Sequence, residues 1–267
     1  MMERRKRLSW AGVAGIVAAA LAAGALAPGA SAQNPDYNRV AMRGEPVIDG
    51  DLTDRDWEGA DWQEMDVYAG GAQPAGFEAF SAVLWDDDYL YTAIEVTDRD
   101  HAVPVGVVPN APALWNGDSP QHRVDLEYDG LPGSAEDIEW GYALQDDTVL
   151  TTAWSSATNI EFEDVAIVRD DANDMTYYEA AVVLITHDTD EPLSDYINDN
   201  KNAEIGYSDM VNANDGDVRL GWLEWSSGIG AGKNAALFGT MTFDHTPQTV
   251  DPAGKAVTTW AALRAAR

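Results

Sequence analysis

The chain contains no cysteine, so it has no disulfide framework, no thiolate nucleophile and no lipid-modified N-terminal cysteine. Basic residues are scarce: 16 Lys and Arg stand against 46 Asp and Glu, a formal charge of −30. A surface of that sign repels nucleic acid and anionic membranes, which argues against both as partners. The four histidines, His101, His122, His187 and His245, are isolated, and none has the i, i+4 spacing of a helical zinc site. There is no Gly-x-Ser-x-Gly elbow, so nucleophilic catalysis has little to stand on. Beyond residue 32 no long apolar run occurs, and no helical pattern of crossover length separates the strand patterns, which argues against a parallel α/β sheet.

What is present begins with an export signature. Arg4 to Arg7 is basic, Ala11 to Ala27 is small and apolar, and Ala30-Ser31-Ala32 is an A-x-A cleavage site. The expectation is a signal peptide over residues 1–32, a secreted, periplasmic or cell-surface location, and no membrane insertion after cleavage. Removing the leader takes away four basic residues and Glu3, leaving 12 basic against 45 acidic residues, a balance of −33. Acidic chains poor in aromatics tend to be disordered, but this one carries ten Trp and ten Tyr in clear strand patterns. With only four lysines, it reads as a folded acidic protein of a salt-rich habitat.

The clearest strand signal is Leu84 to Asp98, where an apolar run ending at Trp85 meets three aspartates and a second run from Tyr89 to Val96, a hairpin. About ten short runs of this kind follow one another, with short helical turns expected near Leu52 to Met65 and Leu193 to Ile197. The spacing predicts an all-β fold, an antiparallel β-sandwich of jelly-roll type over residues 33–245. Residues 246–267 read as a linker and an Ala-rich tail.

Several patterns that resemble sites fail on inspection. Ser227 to Asn234 departs from the phosphate loop at both ends, and Lys233 stands where a dinucleotide fingerprint needs its third glycine. Among so many acids no carboxylate pair stands out for glycoside hydrolysis. The stretch Asn212 to Asp217 is oxygen-rich without matching the calcium-loop pattern, which leaves Asn214, Asp215 and Asp217 as weak calcium candidates and an acidic turn as the equal alternative. Two indoles draw attention: Trp115 lies in a Gly/Asn/Asp-rich loop, and Trp225 ends a strand where Ser226-Ser227-Gly228 begins a loop. A flat apolar ring with polar neighbours suits a sugar, whose C–H face stacks and whose hydroxyls seek amides and carboxylates.

The sequence resembles the family 9 carbohydrate-binding modules from about Val40 to Phe243. The resemblance rests on Pro46-Val47-Ile48-Asp49-Gly50-Asp51-Leu52 with Trp57, on Val83 to Tyr91, on Val96-Thr97-Asp98, and on Trp115-Asn116-Gly117-Asp118-Ser119. Tyr178 to Ala181, Ile205-Gly206-Tyr207, Val211-Asn212, Trp225-Ser226 and Phe238-Gly239 continue it. It implies a non-catalytic jelly-roll module that holds a glycan end between two tryptophans, matched here by Trp115 and Trp225, with structural calcium as support. Asn116, Asp118, Gln121 and Asn212 would supply hydrogen bonds to a polysaccharide or oligosaccharide, in the service of polysaccharide catabolism. The family's acidic position after the first Trp falls at Gln121, and its sugar-contacting Arg near Gly141. Competing readings are a cell-envelope interaction domain that has lost the sugar and a haem-binding relative using His122 and Met210.

Overall fold

A computed structural model describes residues 34–131, 137–155, 159–186 and 190–247. The expected leader, His187 and nearly all of the expected tail lie outside the described residues. No described helix is long and apolar enough to cross a membrane.

The hairpin expected over Leu84 to Asp98 is formed. Strand β4 (Glu78–Trp85) and strand β5 (Leu90–Thr97) pair antiparallel from Glu78↔Thr97 to Trp85↔Leu90. The Asp86 carboxylate makes the turn: Oδ1 accepts from the Asp88 and Tyr89 backbone N–H at 2.7 and 2.8 Å, and Oδ2 from the Tyr91 hydroxyl at 2.6 Å. A short side chain folding back on its own backbone is why aspartate favours such turns. Both faces of the hairpin are buried. Val83, Trp85 and Ile94 face the main core, while Ala82, Leu84 and Tyr91 face a second cluster capped by Trp57.

Thirteen strands are described, joined in the order β8-β7-β6-β11-β13-β1-β4-β5-β10-β9 with three side branches. Their ranges are β1 Asn38–Arg43, β2 Gln63–Glu64, β3 Val67–Gly70, β6 Pro120–Asp125, β7 Asp137–Gln145, β8 Thr148–Ser155, β9 Ile160–Asp170 and β10 Met175–Leu184. The last three are β11 Glu204–Asn214, β12 Arg219–Glu224 and β13 Gly239–Pro247. The main core takes Val83, Ile94 and Tyr178 from one arm of this path and Val124, Trp140 and Tyr207 from the other. Two arms of β structure closing on one apolar layer make a sandwich. Pairing is not uniformly antiparallel as expected: β1 enters between β4 and β13 and runs parallel to both. The helical turns are α1 (Arg55–Glu58) and α2 (Leu193–Asp199), close to the predicted places.

Buried polar groups are placed in pairs. Arg39 Nη1 donates to Asp209 Oδ2 at 2.9 Å, and Arg123 bridges Asp137 at 2.9 Å and Glu139 at 2.7 Å. Glu179 of β10 accepts from Trp57 Nε1 at 2.5 Å and from the Asp49 and Gly50 backbone at 3.1 and 2.9 Å, which fixes α1 and the preceding loop to the sheet.

Candidate functional site

One row of side chains crosses five strands on the outer face of the sandwich. Glu224 (β12) pairs Met210 (β11), Met210 pairs Gln121 (β6), Gln121 pairs Gly141 (β7), and Gly141 pairs Thr152 (β8). Because side chains alternate along a strand, residues two away share this face: Glu139, Trp154 and Trp222. Above the row lies a cleft of about 300 Å³, lined by Trp115, Gln121, Glu139, Trp154, Met210, Arg219, Ile229, Gly230, Gly232 and Lys233. That volume sits at the small end of the roughly 300–1,000 Å³ typical of ligand sites.

Two loops make the walls. A 3-10 turn, Ala111–Asn116, carries Trp115, whose surface is 43% exposed. It is tied down from below by Ser119 Oγ, which donates to the Leu114 carbonyl at 2.8 Å, and by Trp154 Nε1, which donates to the Pro112 carbonyl at 3.0 Å. The opposite wall is the loop after β12. Glu224 Oε1 accepts from Trp222 Nε1 and from the Gly230 backbone, both at 2.7 Å, so the loop rests on the Trp222 ring. A Cβ at Gly230 would run into that ring, which is why glycine stands there.

Arg219 lies between the walls. Its guanidinium is 4.2 Å from the Trp222 ring centre and 5.6 Å from that of Trp115. Burial pushes its pKa down to about 10, so it stays charged at neutrality. Lys233 Nζ reaches Glu139 Oε1, while Arg123 holds Glu139 Oε2 from beneath. Burial pushes the Glu224 carboxyl up, and its Oε2 has no hydrogen-bond partner.

Of the residues expected to bind sugar, the structure brings Trp115 and Gln121 to the cleft. Trp225 is a correction. It is 1% exposed, lies under the Arg39 guanidinium at 4.0 Å, and packs edge-on to Tyr37 at 5.8 Å. Strand alternation turns Leu223 and Trp225 to the core and Trp222 and Glu224 outward. Asp118 is a second correction: its carboxylate is buried and holds the Ala102 and Asn214 backbone N–H groups, the latter at 2.7 Å, so it fixes the loop. Asn212 is likewise buried, donating to the Ser119 carbonyl at 3.0 Å. Asn116 stays half-buried, its carbonyl accepting from Asn214 Nδ2 at 2.6 Å. Trp154, Arg219 and Lys233 were not expected. Gly141, where the resemblance places an arginine, is instead overlaid by Trp154: a Cβ there would stand 2.8 Å from Trp154 Cη2.

The proposed haem ligands do not converge. His122 is fully buried between the Tyr207 hydroxyl at 3.0 Å and the Tyr142 hydroxyl at 3.3 Å, and burial pushes its pKa down to about 4. Its register partner is Asp209, so Met210, one residue on, points to the other face of the sheet. The calcium candidates hold a turn. Asp215 Oδ1 accepts from Asp217 and Val218 at 3.0 and 2.9 Å, and Asn214 Oδ1 from Gly216 at 2.6 Å.

Among the described residues the cluster able to gather a metal lies elsewhere, at Asp98, His101 and Asp118, with ligand atoms within 4.8 Å of one another. Burial, then the neighbouring Asp98 charge, pushes Asp118 well up, and burial pushes His101 down to about 4. Calcium takes roughly six to eight oxygens. Two carboxylates already accepting backbone N–H groups and one imidazole are not that donor set.

A family model described as "Carbohydrate family 9 binding domain-like" matches residues 48–246. Among solved structures, the fold is similar to a carbohydrate binding module family 9 from Caldicellulosiruptor kristjanssonii in complex with cellotriose, with a TM-score of 0.60 at 20% identity over 82% of this chain and 100% of that one. The same module in complex with glucose gives a TM-score of 0.60 at 20% identity over 81% and 100%. At that identity the likeness is one of fold. No curated protein matches.

Proposed function

The chain belongs to the carbohydrate family 9 binding domain-like family, and from that premise we propose that it is an exported, non-catalytic module that binds the end of a glycan in the cleft beside Trp115. The observation that carries this reading is the exposed Trp115 ring over a cleft floored by Gln121 and Met210. The ring offers a stacking face; Gln121, whose Nε2 is buried without a partner, Glu139, Arg219 and Lys233 offer hydrogen bonds. Such a face-and-rim arrangement suits a sugar ring, which is apolar on its faces and polar at its edge. Because related modules are described with cellotriose and glucose, cello-oligosaccharides are the first ligands to try. A role in polysaccharide catabolism would follow from export.

The test is retention on a polysaccharide and oligosaccharide array at high and low salt. Wild-type protein is expected to be retained, and Trp115→Ala to lose at least tenfold in affinity with its melting temperature nearly unchanged, since the ring is exposed. A wild-type protein retained by no glycan at either salt concentration removes the reading and leaves the cell-envelope interaction domain in its place.

A further inference from the structure

The cleft brings two cations, Arg219 and Lys233, to the surface of an acidic molecule. Arg219 makes no ion pair and no side-chain hydrogen bond among the described residues, and its Nε is buried without a partner. Arginine in a chain with 46 acids ordinarily finds one: Arg39 holds Asp209, Arg43 holds Asp87, and Arg169 holds Asp171. Arg219 instead lies against two indoles, Trp222 at 4.2 Å and Trp115 at 5.6 Å, with the Glu224 carboxyl near enough to act on its charge but making no ion pair with it. Stacking fixes the plane of a guanidinium and leaves its edge free to donate, the geometry suited to a two-oxygen anion.

Lys233 is the second cation. It sits at φ +64°, a left-handed conformation that is strained for a non-glycine residue. The loop holds a lysine there, between Gly232 and Asn234, rather than the glycine the backbone favours. The Lys233 side chain is 44% exposed at the cleft and pairs with Glu139, which shares the Arg123 guanidinium with Asp137. Glu224, the other carboxyl near Arg219, is buried and directs Oε1 to Trp222 and Gly230.

We propose that the cleft selects an anionic sugar, its ring on Trp115 and its carboxylate or sulfate on the Arg219 guanidinium, with Lys233 at the rim. The inference rests on the carbohydrate reading above and names the substrate class of that same site. The global charge does not forbid it: at about 0.15 M salt, charges more than roughly 8 Å away are largely screened, so the field is set by the charges at the cleft, where Lys233 is paired with Glu139 and Arg219 makes no ion pair among the described residues.

The experiment compares matched oligosaccharides on the full chain by calorimetry: one series ending in glucose, one in glucuronic acid, one in a glucose sulfate ester. Wild-type protein is expected to bind an acidic end at least tenfold more tightly than the neutral one, and the uronate and sulfate arms tell which anion it prefers. In Arg219→Gln the acidic-to-neutral affinity ratio is expected to fall to about one. Lys233→Gln, on an exposed loop, is expected to lower that ratio severalfold and serves if the Arg219 variant does not fold. A wild-type ratio of one or below overturns the anionic assignment while the carbohydrate reading stands. Binding of none of the three series overturns both.

Discussion

Trp222, Arg219 and Trp225 show how the surroundings of a single residue decide what its loss would do. Trp225 lies under Arg39, whose guanidinium also donates to Asp209 and Ser81, and Gly239 lies so near that a Cβ there would stand 2.6 Å from Trp225 Cη2. Removing that ring leaves a cavity beneath a buried charge pair. Trp225→Ala is therefore expected to lower stability by about 3–5 kcal/mol, read by urea unfolding, and to lose sugar binding only as far as it unfolds. Ligand binding lost with the unfolding midpoint unchanged would put Trp225 back in the site. The sequence carries the alternation that separates Trp222 from Trp225, but both are tryptophan, and alternation alone does not say which face is the core. Arg39, from a strand far away in the chain, decides it.

At the scale of elements, the hairpin of β4 and β5 and the two helical turns were legible, because local signals specify them: an aspartate turn between aromatic and β-branched runs, and apolar spacing around Trp57. The parallel entry of β1 was not, since it depends on pairings with β4 and β13 that no local pattern records. Glu179 shows an element held by a long-range contact. Burial pushes its carboxyl up to about 7 although three N–H groups point at it. A carboxyl whose pKa is raised on folding gives its stability below the unfolded value and loses it as pH rises toward the folded one, on the order of 3 kcal/mol here. Glu179→Gln removes that dependence while pointing an amide at the Asp49 and Gly50 donors, so it is expected to be less stable than wild type. The gap should narrow between about pH 5 and pH 7.5 in paired urea titrations. A gap independent of pH would mean that Glu179 ionises alike in both states.

The cleft belongs to the whole molecule: residues 115, 121, 139, 154, 210, 219 and 233 meet there only because β8, β7, β6, β11 and β12 lie side by side. Trp115 could be picked out because an indole in a polar loop is conspicuous alone; Arg219 and Lys233 could not, because what distinguishes them is the company they keep. Net charge is a property of the same scale. With −30 on the chain, like-charge repulsion opposes compactness, while the strongest attractive pairs, Arg39 with Asp209 and Arg123 with Asp137 and Glu139, are buried. Salt shortens the screening length from about 10 Å at 0.1 M to about 3 Å at 1 M, which weakens repulsion across the surface and leaves buried pairs nearly untouched. The melting temperature at neutral pH is therefore expected to rise by several degrees from low salt to about 1 M KCl. The increment should vanish as pH approaches the sequence isoelectric point of about 4.1, where there is little net charge left to screen. Stability itself changes with pH over that range in both directions: His122, its pKa pushed down to about 4, costs stability as the unfolded chain takes up a proton first, while Glu179, pushed up to about 7, adds to it. The salt increment, not the absolute melting temperature, is thus the quantity to follow by calorimetry. A melting temperature that falls with salt at neutral pH would mean that exposed pairs such as Arg43 with Asp87, 2.5 Å apart, outweigh the repulsion of all the unpaired carboxylates.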